Sequence, residues 1–418
     1  MNEVIEKLQI LFDSRFGLIV PYGYFPQKPN DPNLFKYGVK TSQLFGQADK
    51  SLYGLGISQN KDQAALAAVY EGIERYCYML PIKAFKAKIK SFEQLSINDL
   101  RFSSFLYFST EQEKSKDLEL QKFVKNLKNS KLYCLADQIT SSSRTPIYIS
   151  AGAIFRDYEY RFLENTTNGM GAGQNQTFSE KSALYELIER DTFQYTWLTQ
   201  TGLFEMSLSD ICDSCPESKT MLAQMPTLKP FLKVRLAQTL IGDYSVITSI
   251  QTNNELGFPA YCVASAYRPD IDKAIAKSLA ELAQIVSGHQ QKPRQPIEFF
   301  LNFDNISEFD HHVDLFYYPQ QLKLLGIFNH ETQVPQVRFT DLKQSFDDHE
   351  IFKKFDEKNI RIFMVNMTTS EFKGLPIYVS KAVSPDLIPL NVIHRHRPLG
   401  HPRLQNLGAL YEIPHPFP

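Results

Sequence analysis

The sequence predicts an α+β fold in which mixed sheets alternate with long helices. Residues 131–138, 146–155, 244–252 and 360–368 alternate apolar and polar side chains with the two-residue period of strands. Residues 62–80, 179–198 and 272–287 repeat apolar side chains at helical spacing. The two kinds of segment interleave along the chain instead of falling into separate blocks, which points to mixed architecture. With 418 residues the chain is long enough for two or three ordinary domains or one large interwoven one.

Taken in order, the N-terminus "MNEVIEKLQILF" is a short amphipathic pattern without the basic-then-apolar layout of a secretion signal. Residues 110–130 are charge-rich and read as a charged insertion, an exposed helix with loops. Residues 286–296 form a polar breaker after the third long helix. Apolar runs of membrane-spanning length are missing, so a cytoplasmic protein without membrane contact is expected. Five cysteines at irregular spacing fit a reducing compartment better than a disulfide framework. A net charge of −1 gives no reason to expect nucleic acid as a partner.

One short pattern occurs twice, "YEGIER" at Tyr70–Arg75 and "YELIER" at Tyr185–Arg190, an echo that would fit two related halves. On a helix, Glu71 and Glu74 share one edge beside an apolar stripe, and Glu186 and Glu189 do the same. Ser179 is a candidate N-cap for the second of these helices. Carboxylates facing partly inward need cations or must take up protons. The plain alternative is intrahelical ion pairing with Arg75 and Arg190, which the recurrence makes less attractive. A third helix carries Lys277, Glu281 and Gln284 on one face. Together the three could gather the five carboxylates Glu71, Glu74, Glu186, Glu189 and Glu281, a donor set suited to two or more Mg²⁺ ions on a phosphate chain. Neither a P-loop nor a G-x-G-x-x-G run is present, but Gly169, Gly171 and Gly173 lead directly into the second glutamate helix, where backbone N–H groups can approach an anion.

These residues resemble the YcaO family. Its pattern is S-x-x-x-E-x-x-E-R on two helices, a glycine segment of the form S-N-G-x-x-x-G-N, and a third helix with E-x-x-Q. Ser182, Glu186, Glu189 and Arg190 match in full, whereas the first copy has Ala67 before Glu71, Glu74 and Arg75. The glycine segment runs from Thr167 to Gly173, with Gln174 in the Asn place, and the third motif is Glu281 with Gln284. Residues 14–21, 310–318 and 367–387 also look like the family, so the resemblance spans nearly the whole chain as a single interwoven domain. One departure is Leu55 in "GLGIS", where the family often has Lys. The ending Pro414-His-Pro-Phe-Pro418 resembles the azoline-forming cyclodehydratases, and alternating prolines make a stiff extended tail over residues 410–418.

The resemblance implies a YcaO-type ATP-binding fold and an ATP- and Mg²⁺-dependent enzyme acting on a ribosomal precursor peptide. A Cys, Ser or Thr side chain would attack the preceding carbonyl, the resulting oxygen would take the γ-phosphoryl group, and loss of phosphate would leave a thiazoline or oxazoline. It assigns Mg²⁺ to the five glutamates, phosphate or ribose contacts to Gly171, Gln174, Arg190 and Lys277, a weaker ATP contact to Arg15, and proton acceptance to the Pro418 carboxylate. Implied partners are a separate leader-binding protein resembling ubiquitin-activating enzymes and, in some systems, a flavin dehydrogenase, with the chain a homodimer or part of a complex. The competing readings are a YcaO enzyme making thioamide or macroamidine, and a non-catalytic peptide-binding scaffold. Cys212 and Cys215 form a lone C-x-x-C that reads as a surface loop before it reads as zinc, and the basic segment 394–403 reads as a solvated loop before it reads as an anion site.

Overall fold

The computed structural model describes residues 2–13, 17–41, 53–105, 107–156, 159, 161–164, 166–252, 254, 257–290, 293–342 and 346–418. Arg15 lies outside the described residues. Strands Ile19–Tyr24, Phe35–Thr41 and Tyr53–Ser58 form an antiparallel sheet in that order. A second, seven-stranded sheet runs Arg101–Phe102, Arg144–Ser150, Leu132–Ile139, Ile362–Asn366, Tyr378–Val383, Met170–Gly173, with Ile89–Ser91 also paired to Leu132–Ile139. A third sheet orders Tyr261–Ala266, Tyr244–Gln251, Leu232–Gln238 and Leu203–Met206.

Each sheet carries one of the three long helices. The first, Lys61–Met79, packs on the N-terminal sheet, where a Cβ on Gly54 or Gly56 would overlap the Ala68 or Ala64 carbonyl of the helix. The second, Gln176–Thr199, packs on Met170–Gly173 and Tyr378–Val383, and Gly171 allows the same close approach to the Ser179 carbonyl. The third, Ile271–His289, covers the four-stranded sheet. The second helix joins two cores. Its Ala183, Leu184, Leu187 and Ile188 pack with Met364 and Ala382, while Phe193 and Trp197 pack with Leu203, Ala237 and Ile247. A helix apolar on so many sides belongs in the interior.

Several expectations need correction. The second helix is capped by Asn175, whose side chain accepts from Phe178 N–H, not by Ser179. Ser179 is buried in the first turn, with its hydroxyl on the Gln176 carbonyl at 2.9 Å and on Ser380 at 2.8 Å. The polar run "GQNQTF" hid this early start. The strand expected over 146–155 stops at Ser150, where a 3₁₀ turn over Ala151–Ala153 takes over. Residues 110–130 hold helices Thr110–Glu113 and Leu118–Lys128, and the second buries Leu120, Phe123 and Val124. Segment 394–403 is not solvated: His394, His396 and His401 are buried, Arg395 pairs with Asp117, and Arg403 with Asp191. Its charges are matched by acids from distant parts of the chain, which the local sequence does not show. Cys212 and Cys215 are free thiols, and Cys215 is buried beside Ile211 and Leu222 instead of lying on a surface loop. Among the described residues no helix is long and apolar enough to cross a membrane.

Candidate active site

The glutamate helices converge. Glu74 is pushed well above the usual carboxylate range by burial and by the facing charges of Glu186 and Glu71. Glu186 is raised by burial and by Glu281, despite Arg190 and Lys277 nearby. Glu189, only 3% exposed, is pushed up to about 7 by burial, with Glu281 and Glu186 adding to it. Carboxylates from three separate helices thus act on one another across one space.

The cations present divide among them. Arg75 Nη2 lies 2.6 Å from Glu71 Oε1, one helical turn away, and Glu71 Oε2 accepts from Leu55 N–H at 2.7 Å. Arg190 reaches Glu186 through Nη2 and Glu189 through Nη1, each at 3.1 Å. Lys277 pairs with Glu281. Both arginines are therefore intrahelical partners, as the plain alternative held, and Arg190 serves both carboxylates of its arm from a largely buried position. Its charge is held up, against burial, by Glu189, Glu186 and Glu281.

Oxygen donors that raise one another's pKa suit a hard divalent cation. Glu189 Oε1 is buried with only its ion pair to Arg190 Nη1 and no hydrogen bond, which leaves an oxygen donor for a cation, while the unbonded Arg190 Nε is a donor suited to an anion. With the side chains paired as they are, no three acidic, His or Cys side chains among the described residues converge closely enough to hold an ion.

Gln174 is exposed at the entry to the second helix, and Gly171 is buried in the strand before it, paired with Ser380. Sequence reasoning missed Lys381. It is 4% exposed on strand Tyr378–Val383, its Nζ donates to the Thr166 carbonyl at 2.8 Å, and burial pulls its pKa down to about 8 while Glu186 and Glu74 pull it back up. A lone lysine inside the otherwise apolar run "IYVSKAV" was the available signal, since lysine is rarely buried without acids facing it. Lys381 and Arg190 also line a cleft walled by Tyr107, Phe123, Leu187 and Leu390.

The proline tail is packed, not frayed. Pro414–Phe417 is buried and Pro418 half-buried. Trp197 Nε1 donates to the Ile413 carbonyl at 2.8 Å. The Phe417 ring lies 4.7 Å from that of Phe193 and 4.4 Å from the Arg190 guanidinium. The end of the described chain therefore sits against the arginine of the second glutamate arm.

Residues 55–388, well over half of the chain, match the family model described as YcaO cyclodehydratase, ATP- and Mg²⁺-binding. The chain belongs to the YcaO family. ATP and Mg²⁺ are its cofactors, in keeping with the carboxylate set. Similarity to solved structures extends to YcaO from Methanopyrus kandleri bound with AMPPCP and Mg²⁺, at 15% identity and a TM-score of 0.61, covering 88% of this chain and 86% of that one. A heterocyclase in complex with substrate and cofactor matches at 14% identity and a TM-score of 0.70, covering 99% of this chain and 57% of that one. The E. coli microcin synthetase McbBCD complex with pro-MccB17 bound matches at 15% identity and a TM-score of 0.58, covering 97% and 98%. These likenesses establish the fold. No curated protein shows significant sequence similarity to the chain.

Proposed function

We propose that this YcaO protein is an ATP-dependent peptide heterocyclase that converts Cys, Ser or Thr of a ribosomal precursor peptide to thiazoline or oxazoline. The observation that carries this reading over thioamide or macroamidine formation is the proline tail, whose Phe417 lies on Arg190 of the glutamate cluster. Glu71, Glu74, Glu186, Glu189 and Glu281 hold Mg²⁺, which when bound neutralises the phosphate chain. Arg190, Lys277, Gln174 and the backbone at Gly171 contact phosphates or ribose. Lys381, buried beside Glu186 and Glu74, adds a positive charge where the transferred phosphoryl group is anionic.

In this scheme the peptide side chain attacks the preceding amide carbonyl and gives up its proton to the Pro418 α-carboxylate, where Pro418 is the terminal residue. The former carbonyl oxygen takes the γ-phosphoryl group of ATP, releasing ADP. Phosphate then leaves with that oxygen as the C=N bond forms, so the peptide loses one water. Phosphoryl transfer asks mainly for positioning and charge neutralisation, which a wall of carboxylates, ions and buried cations supplies. The fold neighbours support nucleotide use, a peptide substrate and a multi-protein setting: one is bound with AMPPCP and Mg²⁺, and another is a complex with pro-MccB17 bound. A separate leader-binding protein resembling ubiquitin-activating enzymes completes the assembly, and a flavin dehydrogenase acts afterwards where azoles are the product. Cytoplasmic action follows from the need for ATP and a freshly made peptide.

The test is mass spectrometry of a precursor peptide with Cys, Ser and Thr in its core, incubated with the protein, its leader-binding partner, ATP and Mg²⁺. Loss of water with stoichiometric phosphate release is expected. A mass gain from oxygen-to-sulfur exchange would favour the thioamide reading, and absence of both ATP binding and phosphate release would favour a scaffold.

A further inference from the structure

The seat of the tail is built from histidines that the glutamate cluster does not use. His312, on helix Phe309–Leu315, is fully buried. Its ring stacks on that of His415 with centroids 4.0 Å apart and planes 7° apart. His312 Nδ1 lies 2.7 Å from the His415 carbonyl oxygen, and its Nε2 lies 2.7 Å from the Val392 carbonyl oxygen. A carbonyl oxygen only accepts, so each contact is a hydrogen bond only when that nitrogen carries a proton. The neutral Nδ1–H tautomer grips the tail, the Nε2–H tautomer grips Val392, and the imidazolium grips both.

His415 adds a second tie, donating from Nε2 to the Asn391 carbonyl at 2.7 Å. Asn391 is in turn bound through its side chain to Gln194 of the second glutamate helix at 2.9 Å. The tail, the 391–392 segment and the helix that carries Glu186, Glu189 and Arg190 are thus joined through two stacked imidazoles. Around His312, burial and His311 disfavour the charged ring, while Glu164 and the two carbonyls favour it. Around His415, burial, His312 and His394 all favour the neutral ring. Burial prevails around both rings, so a neutral His415 stacks on a neutral His312 that carries one proton, and on Nδ1 that proton ties the tail.

We propose that His312 is a positioning residue for the reaction: by holding the His415 carbonyl it sets where Phe417 and Pro418 lie against Arg190. The inference rests on the reading of the tail as part of the active site. Only Pro416 separates His415 from Phe417, so release of that carbonyl frees the tail immediately before its contact with Arg190. Packing alone would need only a flat ring at position 312. Positioning needs the Nδ1 donor.

The experiment compares wild type, His312→Phe, His312→Asn and a Pro418 deletion, each with a free terminus. Trp197, the single tryptophan of the chain, donates to Ile413 and reports tail seating by its emission maximum and acrylamide quenching. Turnover is read on the precursor peptide above and nucleotide affinity with AMPPCP and Mg²⁺. His312→Phe keeps a flat ring but no donor. It is expected to red-shift and expose Trp197 and to lower kcat about tenfold or more, with AMPPCP affinity kept within about twofold. His312→Asn restores one donor and is expected to recover tail seating and most of kcat. Wild-type emission and kcat in His312→Phe, or His312→Asn as slow as the Pro418 deletion, would overturn the inference. Full activity in the Pro418 deletion would instead sink the tail's catalytic role, so the two failures are distinguishable.

Discussion

The two glutamate arms carry the same six-residue pattern, yet they differ in how deeply the structure commits them. In the first arm Arg75 is 41% exposed on its side chain and is occupied by Glu71 one turn away. In the second, Arg190 is largely buried, serves two carboxylates and stacks on Phe417 of the tail. Both arms start the same way: a glycine-containing strand, an asparagine N-cap at Asn60 or Asn175, then a long helix packed tightly on the strand. The difference lies in what closes over each helix. The first packs on the small antiparallel sheet and against the seven-stranded one, while the second meets the seven-stranded sheet, the four-stranded sheet and the tail. A repeated motif therefore yields one arm whose arginine is half exposed and one whose arginine is buried against the tail.

The largest effect expected from this contrast is on turnover. Glu189→Gln removes a buried carboxylate that Arg190 needs, and a loss of at least about 100-fold in kcat/KM for ATP-dependent water loss is expected. Arg190→Ala should be comparably severe, because it strands Glu186 and Glu189 together and frees Phe417. Arg75→Ala should cost no more than about threefold, as befits an exposed one-turn ion pair. Equal losses in the two arginine variants, measured side by side, would break the asymmetry.

Next in size is packing. A methyl group at Gly171 meets the Ser179 carbonyl, and one at Gly54 meets the Ala68 carbonyl. Both Gly→Ala variants should destabilise by roughly 1–3 kcal/mol in urea unfolding. Gly171→Ala should also weaken AMPPCP binding, since the strand it moves leads into the deeper arm.

Acid–base linkage gives a third test. The folded pKa of Glu189 is raised to about 7 and that of Glu74 is raised well above normal, so the folded protein binds protons more tightly than the unfolded chain. This contribution is fully present below the unfolded carboxylate range near pH ~4.3 and is lost as pH rises through about 7. The ligand-free protein is expected to lose on the order of a few kcal/mol of stability from this cluster between those limits. Glu189→Gln should flatten that pH dependence, and AMPPCP with Mg²⁺ should recover stability at pH 8. The smallest expected effect is Ala67→Ser, which restores the family serine at an exposed site of the first arm and should change stability by no more than about 0.5 kcal/mol.

Much of this was legible in the sequence for a physical reason. Helical period and carboxylate spacing are local, so the three long helices and their five glutamates could be read directly, with ends off by at most a few residues. What the sequence hid was non-local. Segment 394–403 reads as a basic loop, but Asp117 and Asp191, far off in the chain, neutralise and bury it. Lys381 looks like a stray charge in a strand until Glu74 and Glu186 are placed near it. The cap at Asn175 was masked by polar neighbours, and the strand after Pro146 ends early because the chain turns through Ala151–Ala153. His312 belongs to a stretch that looked like the family, but only the fold brings it onto His415.

The claim that the two arms build one ATP and Mg²⁺ site is tested most directly by calorimetric binding of AMPPCP with Mg²⁺ to wild type, Glu74→Gln and Glu189→Gln. Wild type should bind only when Mg²⁺ is present, and each single variant, one in each arm, should lose that binding. Wild-type affinity in either folded variant would show that its arm stands outside the site and would contradict the account.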